Sequence, residues 1–183
     1  MPPNLADAKA FDPTVAPAPA RPEDFAIDVA TPDGRVVAID DPSLAAALGQ
    51  NVTLLRSDKA IIDSRPVSLF SVQTARRLGD ELGRPVDKLR FRANIYLDLD
   101  AVEGFGEDAF VGRTLEIGDR VRVHVLERDV RCALTTLDPN TAERDFGVIK
   151  TVNAGHDGCA GVYGAVLVEG RVRAGDPVTV ADP

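Results

Sequence analysis

The sequence is poor in the residues that build metal sites and covalent crosslinks. Its 183 residues contain two cysteines, Cys132 and Cys159, and two histidines, His124 and His156. A chain of this length can bury enough apolar surface to fold without disulfides, so both thiols are expected to be reduced. Common zinc sites need three or four Cys, His or carboxylate ligands at short spacings, which this sequence does not offer. A zinc site is therefore not expected.

Long apolar runs and an excess of positive charge are also missing. Nowhere do about 18 apolar residues follow one another, and the first 20 residues lack the basic start and apolar block of a signal peptide. The formal net charge of −8 argues against a nucleic-acid-binding protein, because phosphate contacts require a basic face. We therefore expect a cytoplasmic protein that binds neither membrane nor nucleic acid.

Proline is concentrated at the start of the chain. Six of the thirteen prolines lie within the first 22 residues, interleaved with alanine, and such a composition resists both helix and sheet. The sequence predicts a flexible tail over residues 1–24 and one domain over residues 25–183. At the start of that domain, two short apolar runs flank the turn Thr-Pro-Asp-Gly at residues 31–34, which predicts a β-hairpin. A short helix over Leu44–Leu48 and a strand over residues 52–56 should follow.

The rest of the sequence predicts a mainly β fold. Apolar residues recur at helical spacing over Val72–Leu82, between the capping residue Ser71 and Gly83, and predict one longer helix. Over residues 91–98 apolar and polar residues alternate, which predicts a strand with Arg92 and Asn94 on one face. Two similar segments, residues 112–125 and 170–180, each read as strand, Gly-Asp turn and strand. Repeated short valine-rich strands favour a closed β-barrel with few helices.

Cys132 is the first candidate for chemistry. It lies where a valine-rich strand runs into a turn rich in hydroxyl groups, at residues 135–140. A cysteine acts as ligand or nucleophile only as the thiolate, and the neighbouring Arg128 and Arg131 would favour that form. The alternative is a buried cysteine that acts as a small apolar residue. The local sequence leaves both interpretations open.

A basic run and a polar turn are the other candidates. Guanidinium groups bind phosphate oxygens in pairs, so a basic run in an acidic protein suggests a small anionic ligand. The alternative is a charged strand edge that discourages pairing with other chains. The turn Asp-Ser-Arg-Pro at residues 63–66 could offer donors to a ligand, or be only a turn. The basic run comprises Arg84, Lys88, Arg90 and Arg92.

The remaining motifs give little evidence of function. Gly104-Phe105-Gly106 lacks the third glycine of a dinucleotide site, and the sequence has neither a Gly-Lys-Ser/Thr phosphate loop nor a nucleophile elbow. His156 and Cys159 lie in a glycine-containing segment that is expected to be a flexible loop, and His124 alternates with valines on a strand. Both histidines are expected at the surface.

Five separated blocks together resemble the MOSC superfamily, in that family's order. They read Asp-Ser-Arg-Pro-Val-Ser at residues 63–68, Arg-Phe-Arg-Ala-Asn-Ile at 90–95, Gly-Glu-Asp-Ala-Phe-Val-Gly at 106–112, Arg-Cys-Ala-Leu-Thr-Thr-Leu-Asp-Pro at 131–139, and Gly-Val-Tyr through Gly-Asp-Pro-Val at 161–178. The resemblance covers roughly residues 50 to 180. Within the superfamily, the sequence is most similar to the mitochondrial amidoxime-reducing component and its bacterial relatives, and to the C-terminal domain of molybdenum cofactor sulfurase.

The resemblance implies a fold, a cofactor and a set of site residues. The family fold is a β-rich barrel with few helices. In the amidoxime-reducing relatives, the cysteine of the Arg-Cys block binds molybdenum held by a pterin dithiolene, and this position is Cys132 here. A soft thiolate suits that metal. By the same resemblance, the cofactor-binding residues are Ser64, Arg65, Arg92, Asn94, Arg131 and Tyr163.

The resemblance also implies a function. It suggests a molybdenum-dependent oxidoreductase that acts on N-hydroxylated substrates, with electrons supplied by a separate electron-transfer protein. An alternative is a non-catalytic carrier that hands the cofactor or its sulfur to a cofactor-using enzyme. A third interpretation is an interaction barrel that binds no cofactor. Related reductases have a larger N-terminal β domain over the pterin, and sulfurase relatives carry a pyridoxal-phosphate-dependent desulfurase module, which here would be a separate partner.

Overall fold

The structure is a computed structural model that describes residues 27–49, 51–53, 64–100 and 102–181. These residues belong to two compact units, one up to residue 53 and the other from residue 64. The first unit holds the hairpin of β1 (Asp28–Ala30) and β2 (Val36–Ala38) and the helix α1 (Leu44–Leu48), as the sequence predicts. The predicted tail and the boundary at residue 24 lie outside the described residues. So does most of the predicted strand at residues 52–56, and residues 52 and 53 are not in a strand.

The second unit is built on a six-stranded sheet. Its order is β4-β3-β7-β6-β5-β8, and every neighbouring pair is antiparallel except β3 and β4. The sheet is curled into a half-barrel, which confirms the predicted mainly β, MOSC-type fold. In the described part of the chain the strand pairing stops at β4 and β8, so the sheet does not close on itself. The strands are β3 (Val67–Ser71), β4 (Ile95–Leu97), β5 (Thr114–Ile117), β6 (Val121–Val130), β7 (Cys159–Val168) and β8 (Val178–Val180).

Each face of the sheet has its own apolar core. Successive residues of a strand point to opposite faces, so Leu69 and Phe70 of β3 belong to different cores. The core around Leu69 is formed by leucines, isoleucine and valines of the strands themselves. The core around Phe70 is completed by two helices, α2 (Val72–Leu82) and α3 (Phe146–Gly155), through residues such as Leu78. The helices therefore cover one face, and the curl of the sheet encloses the other.

The two helices differ in how well the sequence predicts them. The observed bounds of α2 match the prediction, because local signals mark both ends: Ser71 Oγ accepts a hydrogen bond from Thr74 N at 3.1 Å, and Gly83 adopts a left-handed φ of 67°. Helix α3 was not predicted. It has only two buried residues, Val148 and Val152, and a mixed composition around them, so its apolar stripe is too short to recognise.

Gly83→Ala is expected to destabilise the protein by about 1 kcal/mol. A Cβ at this position would meet no atom within 4 Å, so the cost is that of placing a side chain at positive φ alone. Urea unfolding measures the change. Gly155→Ala is the matched control, because Gly155 lies at the end of α3, also with open space around it and without a positive φ. That variant should leave stability unchanged or raise it slightly. Equal losses in both variants would contradict the argument.

The strand predicted over residues 91–98 is mostly wrong. A 3₁₀ turn, Lys88–Phe91, occupies its start because Asp87 caps that turn by accepting a hydrogen bond from Leu89 N at 2.8 Å. Arg92 then takes a left-handed conformation, and only β4 is extended. Arg92 and Asn94 therefore do not share a strand face. Apolar and polar residues do alternate over this segment, but alternation alone does not distinguish a short strand that follows a turn from one longer strand.

The repeated segments are half confirmed. The first forms β5, a turn and β6, as predicted, whereas in the second only β8 is a strand. The two copies lie side by side, since β8 pairs antiparallel with β5 and Gly118 N donates a hydrogen bond to Pro177 O at 2.9 Å.

Candidate functional site

A row of polar residues crosses three neighbouring strands of the sheet. Ser68 of β3 lies opposite Tyr163 of β7, and Tyr163 lies opposite Glu127 of β6. Residues directly opposite each other in antiparallel strands carry their side chains on the same face. Asn94 extends the row beyond β3: its Oδ1 accepts hydrogen bonds from Ser68 N at 2.9 Å and Ser68 Oγ at 3.0 Å. We call Asn94, Ser68, Tyr163 and Glu127 the polar row.

The polar turn that was predicted as a ligand contact meets the polar row at Glu127. Ser64 Oγ donates a hydrogen bond to Glu127 Oε1 at 2.8 Å, and Arg65 Nε lies 3.1 Å from the same oxygen. Arg65 and Glu127 are both about half exposed, so this ion pair is accessible to an incoming anion. The structure thus brings together Ser64, Arg65, Asn94 and Tyr163, which sequence reasoning had placed in one site from separate blocks.

An irregular pairing of β6 and β7 positions the row. The register between these strands shifts at three places, and two of the shifts flank Glu127 and Arg128. Gly161 lies in one of the irregular stretches with a φ of 88°, and a Cβ there would approach Leu69 O to 2.8 Å. Only glycine fits so close to a neighbouring backbone at this φ. These bulges change which side chains of β6 lie on the same face of the sheet as Ser68 of β3. They are not visible in the sequence pattern.

Arg131 is directed inward. Its side chain is 10% exposed and forms an ion pair with Asp129, which is 4% exposed. A second guanidinium nitrogen donates a hydrogen bond to Phe91 O, and the guanidinium carbon lies 5.4 Å from the centre of the Phe91 ring. The remaining Nε is buried and has no hydrogen-bond partner in the described part of the protein. The contacts that the structure shows for Arg131 are therefore with its own chain.

Within the basic run, Arg92 is the residue whose side chain has no partner in the described part of the chain. It follows Phe91 directly, is exposed, and has backbone angles φ 51° and ψ 34°. Its backbone N donates a hydrogen bond to Leu89 O at 3.2 Å. Its guanidinium has neither an ion-pair nor a hydrogen-bond partner among the residues that the structure describes.

The rest of the predicted basic run is tied to other parts of the chain. Arg84 lies 2.5 Å from Asp145, and Arg90 lies 2.7 Å from Asp138 with only 10% of its side chain exposed. Lys88 Nζ lies 5.1 Å from the centre of the Tyr96 ring. The four residues of the run therefore do not form one anion site, and they do not all lie exposed along a strand edge. Only Lys88 and Arg90 belong to the 3₁₀ turn and fasten it to other residues. Arg92 remains available for an anion.

The two cysteines have opposite environments. Cys132 is exposed, precedes the 3₁₀ turn Ala133–Thr136, and makes no capping hydrogen bond with its side chain. Cys159 is buried at the start of β7, not in a loop as expected, and burial raises the pKa of its thiol. The alternative in which Cys132 is a buried apolar residue is therefore wrong. Cys132 is the accessible thiol, and Cys159 is held in the unreactive protonated form.

Both histidines are more buried than expected. His156 caps the end of α3, its Nε2 lies 2.9 Å from Glu81 Oε2, and its ring stacks on Phe105 with centroids 3.7 Å apart. His124 is 8% exposed, and its Nδ1 lies 3.1 Å from Thr114 Oγ1. The surface positions predicted for them are wrong, because α3 and the curl of the sheet provide polar partners that local sequence does not reveal.

Glu81→Gln is expected to lower stability at neutral pH by about 0.5–1 kcal/mol. Hydrogen bonds from His156 and then Arg77 lower the pKa of Glu81 below its ordinary 4.5. A carboxyl group whose pKa is lower in the folded than in the unfolded protein stabilises the fold at pH values above its unfolded-state pKa. That contribution is lost as the pH falls through the folded-state pKa. The difference between wild type and variant should therefore shrink towards zero in acid. Urea unfolding at several pH values tests this, and a pH-independent difference would refute it. Glu143→Gln, at an exposed glutamate, is the control and should leave stability close to that of wild type.

Three residues of the site were missed by sequence reasoning: Ser68, Glu127 and Asp129. Two of them are acidic residues in the apolar strand β6, just before Cys132, and this was the available signal. Within the described ranges, no three His, Cys, Asp or Glu side chains form a metal-binding group. Two cavities of about 520 and 300 Å³ lie along α2, both lined by Arg76 and Asp80. Arg84 of the basic run lines the larger one, and none of the predicted cofactor-binding residues lines either. No helix in the described part is long and apolar enough to cross a membrane.

Comparison with known proteins identifies the family. The model of the MOSC domain matches residues 46–179, most of the chain. The chain belongs to the MOSC domain family. This family is associated with binding of the molybdenum cofactor. The matched residues include the end of α1, all of strands β3 to β7, most of β8, and all of the predicted site residues.

Solved structures include a similar MOSC protein. The crystal structure of YiiM from Geobacillus stearothermophilus is similar at 19% sequence identity and a TM-score of 0.46. The match covers 64% of this chain and 55% of that one, so the MOSC domain described here spans little more than half of YiiM's length. No curated protein sequence matches the chain significantly.

Proposed function

We propose that this MOSC domain binds the molybdenum cofactor, a molybdenum ion held by a pterin dithiolene, with Cys132 as the thiolate ligand of the metal. The observation that carries the proposal is the exposed thiol of Cys132, the residue directly after Arg131. The Cys132 side chain makes no capping hydrogen bond. Soft thiolate ligands suit such a metal, and an accessible thiol is required for coordination.

Other side chains of the domain fit the rest of the cofactor. A pterin cofactor presents an anionic phosphate and a ring with hydrogen-bond donors and acceptors. Arg92 offers an unpaired guanidinium, which binds phosphate in bidentate fashion. The polar row offers Asn94, whose Oδ1 is used by Ser68 while its amide nitrogen has no partner in the described structure, and the acceptor Glu127. Arg65, about half exposed, adds a second cation near the row.

We further propose that the chain is a molybdenum-dependent oxidoreductase for N-hydroxylated substrates. When bound, the cofactor supplies two-electron transfer and accepts oxygen from the substrate. The chain's own residues bind and orient it: Cys132 holds the metal, Arg92 and Arg65 fix the phosphate, and Asn94 and Tyr163 orient the ring. A separate electron-transfer protein supplies the electrons.

The second candidate is a carrier that hands the cofactor or its sulfur to a cofactor-using enzyme. The exposure of Cys132 favours it, because a group must be reachable by the acceptor to be transferred. A carrier and a reductase share the binding residues and differ in turnover.

The proposal is tested on full-length protein purified from a host that makes the cofactor. Molybdenum content is measured by mass spectrometry, and pterin by its fluorescent oxidation products. We expect about one molybdenum and one pterin per chain. A chain that contains neither, with the fold intact, contradicts cofactor binding. If both are present, reduction of an N-hydroxylated amidine with an artificial electron donor supports the reductase, whereas binding without turnover supports the carrier.

A further inference from the structure

One side chain joins the two segments that carry Cys132 and Arg92. Arg131 directly precedes Cys132, and its guanidinium donates a hydrogen bond to Phe91 O, the carbonyl directly before Arg92. Its backbone N also donates to Gly158 O at 2.8 Å, which fixes the end of β6. The metal-binding candidate and the phosphate-binding candidate are thus connected through a single guanidinium.

The guanidinium is held from several sides. One nitrogen pairs with the buried Asp129, and the guanidinium carbon lies over the Phe91 ring. Phe91 in turn is 1% exposed and stacks on Phe70 with centroids 4.2 Å apart. A buried ion pair contributes little net stability compared with apolar residues, but it fixes one geometry, because each charge needs its partner in place. The planar fork of arginine can make both bonds at once, and a lysine cannot.

The held carbonyl lies at a strained point of the backbone. Arg92 has a positive φ of 51°, a conformation that costs a residue with a Cβ about 1 kcal/mol or more. Such a conformation persists when the surroundings determine it, and the bonds from Arg92 N to Leu89 O and from Arg131 to Phe91 O do so. Because of that conformation, the Arg92 side chain leaves the turn without a partner in the described chain.

We propose that Asp129 and Arg131 are a positioning pair, which holds the Phe91–Arg92 turn so that Arg92 presents its guanidinium beside Cys132. Arg131 acts on the ligand through Arg92 and does not contact it, in contrast to the role that the family resemblance implies for this position. The identity of the ligand rests on the proposed function, and the positioning of Arg92 does not.

Amide hydrogen exchange of the cofactor-free, full-length protein tests the positioning. In Arg131→Lys we expect the Arg92 and Asn94 amides to exchange about tenfold faster or more, while the amides of α2 stay within about twofold of wild type. Arg122→Lys is the matched control in β6, the strand that ends just before Arg131, since Arg122 forms an exposed ion pair with Glu116. It should change neither region. Asp129→Glu, which keeps the charge but lengthens the side chain, serves if Arg131→Lys does not fold.

Two exchange results would overturn the proposal. One is unchanged exchange at Arg92, which would mean that Arg131 does not hold the turn. The other is uniform acceleration throughout the chain, which would make the pair a general stabiliser. Because the measurement uses cofactor-free protein, it decides the positioning role even if the protein is found to bind no molybdenum.

A double-mutant cycle on the molybdenum content of the holoprotein tests the path to the ligand. If Arg131 acts through Arg92, Arg92→Ala combined with Arg131→Lys should lose no more cofactor than Arg92→Ala alone. Additive losses would show that Arg131 contacts the cofactor itself and would overturn this part of the proposal.

Discussion

Cys132→Ser is expected to abolish thiolate coordination of molybdenum and to leave the fold intact. A serine hydroxyl is a hard and mostly protonated ligand, so it does not replace a soft thiolate. The side chain of Cys132 is exposed and makes no capping hydrogen bond, so its sulfur contributes little to packing. X-ray absorption at the molybdenum edge should lose the protein-derived sulfur scatterer. Thermal unfolding of the cofactor-free variant should stay within about 0.5 kcal/mol of wild type.

Cys159→Ser is the matched control. Cys159 is buried, burial raises the pKa of its thiol, and its sulfur lies 3.6 Å from Asp157 O. A serine there can still donate a hydrogen bond to that carbonyl, so a modest change in stability is the most we expect. Molybdenum coordination and activity should be unchanged. Equal coordination in wild type and Cys132→Ser would refute the assignment, and comparable loss in both variants would mean that the two thiols act together.

The contrast between the cysteines shows what the sequence could and could not reveal. Cys132 was recognised because a block of nine consecutive residues resembles a family motif, and the structure then shows an accessible thiol. Cys159 was expected in a loop because its neighbours include several glycines. In the structure Cys159 starts the long strand β7, and Gly161 supplies a bulge within that strand. Glycines that permit close backbone approach and glycines that mark loops look alike in a sequence.

Elements with signals at both ends were predictable. Helix α2 has a capping serine, an apolar stripe and a left-handed glycine, so both of its ends could be located. Helix α3 has a capping residue, Asp145, but only a short stripe, and its stability comes from packing against α2 and the sheet. Local propensity is a weak guide where tertiary packing decides. The same reasoning explains the turn at Lys88–Phe91, where Arg90 pairs with Asp138 and Phe91 stacks on Phe70.

The sequence names candidate site residues one by one, but not their arrangement. Ser64, Arg65, Asn94 and Tyr163 were carried over from separate sequence blocks, and their meeting depends on strand register across β3, β7 and β6. Register is a non-local property that bulges shift by one residue, and a one-residue shift exchanges the two faces. Glu127 could therefore not be placed beside Arg65 from the sequence. Arg131 could be named as a site residue, but its inward direction required the positions of Asp129 and Phe91.

Arg92→Ala is expected to weaken cofactor binding about ten- to a hundredfold, because it removes a charge-assisted contact to phosphate worth about 1.5–3 kcal/mol. Fold stability should hardly change. The guanidinium has no partner in the described chain, and alanine keeps a Cβ, so the cost of the positive φ at this position is the same in both proteins. Equilibrium dialysis of the purified cofactor measures the affinity, and thermal unfolding of cofactor-free protein measures stability. Arg171→Ala, which removes an exposed arginine before β8, should bind as wild type does. If Arg92→Ala instead melts far below wild type and retains full molybdenum, Arg92 is a structural residue, and the phosphate is held elsewhere.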